Sequence, residues 1–209
     1  MFRIKICGIT SAKDASMAVA CGADAIGINF YRGSRRYVAP EEAAPIVAAV
    51  RGKATPVGVF VNELPEAIVE VCRLLGIEVV QLSGREPASH SASLPFRKIK
   101  TVHLREGSEH EAYRDYPCEA LLLDAHLPGE FGGTGRVLDW EAIGGRKPRK
   151  TWFLAGGLTP ENVAAAIRLA GPDGVDVASG VENHPGRKDP EKVKRFIKNA
   201  KEGFDIAGV

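Results

Sequence analysis

The chain has 209 residues, with 28 Lys and Arg against 26 Asp and Glu and a formal net charge of +2. That balance excludes a general nucleic-acid or membrane-surface binder, while 44% hydrophobic and 26% charged residues exclude a disordered or fibrous chain. There is no apolar run near the roughly 18 residues of a membrane span, no signal-peptide stretch at Met1-Phe2-Arg3-Ile4-Lys5-Ile6, and no CxxC pair among Cys7, Cys21, Cys72 and Cys118, so the expectation is a cytoplasmic protein with reduced cysteines.

Short β-branched runs mark strands at 2–7, 25–30, 56–61, 78–82, 98–102, 120–124, 151–155 and 175–178. After the first, Ser11-Ala12-Lys13-Asp14 resembles a capping box, with Asp in place of Glu or Gln. Pro45 disturbs the second helix. Leu64, Ala67, Ile68, Val71, Leu74 and Leu75 share one helical face that Gly76 terminates. The helices after the fourth and fifth strands are weakly marked. Thr159-Pro160 opens a helix before the eighth strand, and Asp189-Pro190 caps a last one carrying Val193, Phe196, Ile197 and Ala200 as a stripe.

Strands alternating with helices imply parallel βαβ units. Eight units in 209 residues leave little room for a second domain and favour an α/β (β/α)8 barrel over residues 1–209. The runner-up, a doubly wound open sheet, wants a phosphate loop after its first strand, and GxGxxG is absent there.

In a barrel the chemistry sits at the C-terminal ends of the strands. The first strand alternates, so that if Phe2, Ile4 and Ile6 meet the helices, Lys5 and Cys7 point inward. An ammonium beside a thiol favours thiolate, although most cytosolic cysteines are small buried hydrophobes. The sixth strand ends on Asp124, followed by a long stretch with Gly129, Gly132, Gly133 and Gly135 that suits a mobile cover. Gly156-Gly157 after the seventh strand and Ser179-Gly180 after the eighth supply small residues where barrels hold phosphate, letting backbone N–H groups approach an anion. Asp176 stands as a partner for Lys5 or a substrate contact. Arg32, Arg35 and Arg36 form either an anion-recognition loop or a solvated charge run. His103 and His126 lie near the active face without metal-ligand spacing, so no metal is expected.

Taken together these residues resemble the phosphoribosylanthranilate isomerase family of (β/α)8 enzymes. The matching segments run in order through Lys5-Ile6-Cys7-Gly8-Ile9-Thr10, Gly22-Ala23-Asp24-Ala25-Ile26-Gly27, Ser34-Arg35-Arg36-Tyr37-Val38, Val80-Gln81-Leu82-Ser83-Gly84, Leu123-Asp124, Gly132-Gly133-Thr134-Gly135, Leu154-Ala155-Gly156-Gly157-Leu158-Thr159-Pro160 and Asp176-Val177-Ala178-Ser179-Gly180-Val181-Glu182. The resemblance implies a cofactor-free Amadori rearrangement of a phosphosugar in tryptophan biosynthesis. By the same resemblance Cys7 is the general base, Asp124 the general acid, and Arg36 helps to hold the substrate. The implied partner is this small molecule, with the chain a monomer or homodimer. Three positions depart from the family pattern, which usually has Pro at Arg35, His at Ser83 and Ser at Ala178. Arg35 and Arg36 therefore both stand as candidates for the anion contact. Lys188 and Arg187 are expected to lie just beyond the phosphate site. Two rivals remain: a histidine-pathway aminoribose isomerase, which generally uses carboxylates where Cys7 stands, and a non-catalytic phosphosugar-binding barrel.

Overall fold

The computed structural model describes residues 1–104, 109–124, 140–145 and 147–208. The elements run β1 (Ile4–Ile6), α1 (Ala12–Ala20), β2 (Ala25–Asn29), α2 (Pro40–Val50), β3 (Thr55–Phe60), α3 (Pro65–Leu75), β4 (Val79–Leu82), α4 (Ala88–Ser93) and β5 (Arg97–His103). After a 3-10 turn at Glu109–Tyr113 come β6 (Ala120–Asp124), α5 (Trp140–Gly144), β7 (Thr151–Ala155), α6 (Val163–Ala170) and β8 (Gly174–Val177). A second 3-10 turn, Ser179–Val181, leads into β9 (Glu182–His184), β10 (Arg187–Lys188) and α7 (Pro190–Ala207). Strands β1 to β8 pair in parallel and close into a barrel, β1 against β8, while β9 and β10 form a separate two-stranded hairpin. The long stretch after Asp124, with its glycines and His126, lies outside the described residues.

Two apolar layers hold the barrel. Outward residues such as Ile4, Ile6, Ile26 and Val175 pack beneath the helices, joined by Val193, Phe196, Ile197 and Ala200 of α7. Inward residues, among them Val57, Val79, Ile99, Leu122 and Phe153, fill the N-terminal half of the interior. Toward the C-terminal ends the inward positions turn polar, with Lys5, Gln81, Thr101 and Asp176 all buried. The expected alternation of the first strand holds from Ile4 onward. It fails at Phe2, which packs inside the barrel with its ring 4.8 Å from that of Phe153. Arg3 sits in a bend and turns its guanidinium over Phe204 of α7, 5.4 Å from the ring centroid. The bend reverses the facing of the two residues before the strand.

The helix signals hold with three adjustments. In α3 the inward stripe is Ile68, Cys72 and Leu75, while Leu64 and Leu74 are exposed; Gly76 caps it at φ 69° as expected. Helix α6 starts at Val163 rather than at Thr159-Pro160, because the Asn162 side chain folds back to accept from the Thr159 N–H at 2.8 Å and donate to the Gly157 carbonyl at 2.9 Å. The α1 cap is half a capping box: Ser11 Oγ accepts from the Asp14 N–H at 3.1 Å, but Asp14 Oδ2 accepts from the Lys188 N–H at 3.0 Å. Asp14 thus anchors the hairpin instead of closing the box.

Candidate active site

Reading round the mouth, five consecutive strands carry the expected site residues. Asp124 closes β6, level with Ala155 at the end of β7. Gly156 and Gly157 follow β7, and Ala178, Ser179 and Gly180 follow β8. Cys7 follows β1, its N–H donating to the Val177 carbonyl at 2.8 Å. Arg36 reaches the same wall from the stretch after β2.

Lys5 and Cys7 both point inward, made possible by Gly27 on the neighbouring strand. A Cβ at Gly27 would stand 2.7 Å from Cys7 Sγ and 3.1 Å from Lys5 Nζ. Lys5 is fully buried, and its Nζ donates to Asp176 Oδ1 at 2.7 Å, the two residues being register partners across β1 and β8. Burial is the largest single effect and works against the ammonium, but the charges and hydrogen bonds of Asp176 and Cys7 together outweigh it and raise the pKa of Lys5. The sequence grouped Asp176 with the substrate contacts; one of its oxygens is already committed to Lys5. The expectation that Lys5 favours a Cys7 thiolate meets a stronger opposing effect. Burial pushes the thiol above its ordinary 9.0, reinforced by Asp176 and only partly offset by Lys5 and Lys188.

On the opposite side, the Asp124 side chain keeps 28% exposure, and its Oδ2 lies 3.7 Å from Nδ1 of His103, its register partner on β5. That distance is too long for a hydrogen bond. His103 is thus a neighbour of the carboxylate rather than a ligand. Among the described residues no cluster of three His, Cys, Asp or Glu side chains is arranged to hold a metal.

The phosphate candidates split by geometry. Gly156 and Gly157 have φ of 85° and 66°, and nothing lies within 4 Å of a Cβ built at Gly157, so that position faces open space. Gly180 packs directly onto the Leu158 carbonyl, leaving no room for a side chain. Ser179 is exposed at the start of its 3-10 turn. Among the described residues no acceptor takes the N–H of Gly157 or Ser179.

Of the three arginines, Arg36 alone turns into the mouth. Arg35 is exposed, and Arg32 lies over the Tyr37 ring at 5.6 Å. Arg36 crosses Gly8, where a Cβ would collide with its Cδ, and keeps 24% side-chain exposure. Its Nε and Nη2 donate to Glu182 Oε1 and Oε2 at 2.8 and 2.6 Å. Lys188 is not beyond the site, as its sequence position suggested. The hairpin register pairs it with Glu182, and its buried Nζ donates to Glu182 Oε1 at 2.8 Å and to the Ala178 carbonyl at 3.0 Å. The sequence shows Glu182 only inside a matching segment and sets Lys188 beyond the site, yet the Pro185-Gly186 turn between them is a signal that brings the two side by side. Ser83 hydrogen-bonds to Thr101 Oγ1 at 2.9 Å and to Gln81 Nε2 at 3.1 Å, completing a polar cluster on the inner wall.

The family model for N-(5'-phosphoribosyl)anthranilate (PRA) isomerase matches residues 4–199. The chain is 46% identical over 205 residues to the N-(5'-phosphoribosyl)anthranilate isomerase of Trichlorobacter lovleyi, covering 98% of this chain and all of that one. This chain belongs to the phosphoribosylanthranilate isomerase family. The crystal structure of the Thermotoga maritima isomerase superposes with a TM-score of 0.87 at 43% identity, covering 97% of this chain and 100% of that one. A second isomerase structure, in complex with reduced 1-(o-carboxyphenylamino)-1-deoxyribulose 5-phosphate, gives a TM-score of 0.85 at 40% identity, with coverage of 97% and 100%. Family membership extends over the barrel and over the hairpin that carries Glu182 and Lys188.

Proposed function

We propose that this family member converts N-(5-phosphoribosyl)anthranilate into 1-(2-carboxyphenylamino)-1-deoxyribulose 5-phosphate, an aldose-to-ketose step of tryptophan biosynthesis, with Asp124 as acid and Cys7 as base. The observation that carries these roles is the order round the mouth: the carboxyl on β6, the two glycine loops after β7 and β8, the thiol after β1 and the guanidinium after β2. A phosphate held in the middle sets the sugar between an acid on one side and a base on the other. Asp124 protonates the ribose ring oxygen, the bond from C1 to that oxygen breaks, and an iminium forms with the anthranilate nitrogen. Cys7 as thiolate takes the proton from C2, and the electron pair flows into the iminium to give an enolamine. Return of a proton to C1 and loss of the C2 hydroxyl proton leave the ketone. The iminium is the electron sink, so the chemistry calls for proton transfers alone.

The backbone N–H groups of Gly157, Ser179 and Gly180 bind the phosphate, with Gly156 permitting close approach. Arg36 takes the anthranilate carboxylate through N–H groups that Glu182 leaves available, two-point geometry that lysine cannot reproduce. Asp176 acts through Lys5, whose charge favours the thiolate. The partner is a small phosphosugar, the compartment cytoplasm, and the assembly a monomer or homodimer; among the described residues no helix is long and apolar enough to cross a membrane.

The test is turnover of phosphoribosylanthranilate by the purified protein, followed by the loss of substrate fluorescence, beside the histidine-pathway aminoribose substrate. Rapid loss with the first and little with the second is expected. Tight binding without turnover points instead to a non-catalytic barrel, and faster conversion of the second substrate overturns the assignment.

A further inference from the structure

Glu182 and Lys188 take no part in the reaction as written, yet both side chains are buried beside it, at 5% and 0% exposure. The hairpin that carries them is fixed to the loop after β1 and to α1. Thr10 Oγ1 donates to the Gly186 carbonyl, and the Lys188 N–H donates to Asp14. The Glu182 carboxylate accepts four hydrogen bonds, from Arg36 Nε, Lys188 Nζ and the Gly186 N–H (3.2 Å) on Oε1 and from Arg36 Nη2 on Oε2. Lys188 in turn holds the Ala178 carbonyl at the foot of the phosphate loop.

We propose that Glu182 is a positioning residue that fixes the guanidinium of Arg36 for the substrate's carboxylate, with Lys188 as the immobile cation that locks Glu182 in place. This rests on the reading of Arg36 as the carboxylate receptor. An unheld arginine loses rotamer freedom each time it binds, and a preset guanidinium avoids that cost. Here one edge of the fork is clamped to Glu182 at two points, so the edge facing the mouth has a defined direction. Gly8 leaves the passage for the Arg36 stem, and without Glu182 the stem is free to swing there while Lys188 repels it.

The experiment measures binding of two ligands to wild-type protein and to Glu182→Gln by calorimetry. One ligand is the reduced carboxyphenylamino-deoxyribulose phosphate; the other is the same compound with a plain phenyl ring. Wild type should prefer the carboxylated ligand by about tenfold or more, the scale of a charged hydrogen bond. Glu182→Gln should lose most of that preference and bind the phenyl compound nearly as wild type does, with KM for substrate raised more than kcat is lowered. A wild type without preference defeats the Arg36–carboxylate reading. Preference present in wild type and kept in Glu182→Gln defeats the positioning proposal alone, as does an equal loss for both ligands. Should Glu182→Gln fail to fold, Glu182→Asp answers the same question, because its shorter carboxylate keeps the charge but draws Arg36 away. It too should lose the preference, and retention of it overturns the proposal.

Discussion

Asp176→Asn tests how tightly the charge at the centre of the barrel is held. The substitution preserves shape and one acceptor but leaves the fully buried Lys5 ammonium without the carboxylate now 2.7 Å away. Breaking a buried ion pair on one side costs about 3–5 kcal/mol. With about 2–4 °C per kcal/mol for a domain of this size, the thermal midpoint should fall by roughly 6–20 °C at neutral pH. In wild type the pKa of Lys5 is raised above 10.5, so its contribution is complete below that pH and fades as the pH rises through the folded value. In the variant Lys5 relieves its isolation by losing a proton, so the gap between the two proteins should narrow as the pH rises. Thermal unfolding by circular dichroism at two pH values reads both effects. A midpoint within about 2 °C of wild type, or a gap that widens as the pH rises, refutes the reasoning.

The glycine loops should respond unequally. Gly180→Ala forces a methyl group onto the Leu158 carbonyl and should abolish phosphate binding together with local packing, whereas Gly157→Ala meets open space and should cost about 1–2 kcal/mol from its left-handed backbone while weakening phosphate binding. Isothermal titration with inorganic phosphate, paired with thermal melts, separates the two. The Cys7 thiol should ionise above the ordinary 9.0, since burial raises it; an ultraviolet thiolate difference spectrum against Cys7→Ala that is already complete at pH 7 contradicts this.

Periodicity and turn chemistry made most of the barrel legible. All eight strands were readable because each is a short apolar or alternating run, and Lys5 and Cys7 were placed inward by alternation alone. Phe2 was misread because a bend at Arg3 is a backbone event with no side-chain signature. Leu64 and Leu74 were assigned to a buried face because hydrophobicity marks candidates for burial, while the stripe that includes Cys72 decides which face turns in. At the site, Cys7, Asp124 and the glycine loops were legible as strand-end residues. Glu182 and Lys188 were not, because two charged residues near the chain's end look solvated until the hairpin pairs them. The partnership of Arg36 with Glu182 spans 146 positions, a contact no local pattern carries.

In the proposed mechanism a thiol on one wall and a carboxyl on the other divide two proton transfers between them. Single-turnover conversion of phosphoribosylanthranilate by Cys7→Ala and by Asp124→Asn, with affinity for the reduced product analogue measured in the same preparations, tests it most directly. Each variant should lose about 10²–10⁴-fold in rate while binding the analogue nearly as wild type does. A near-wild-type rate in either variant contradicts the account.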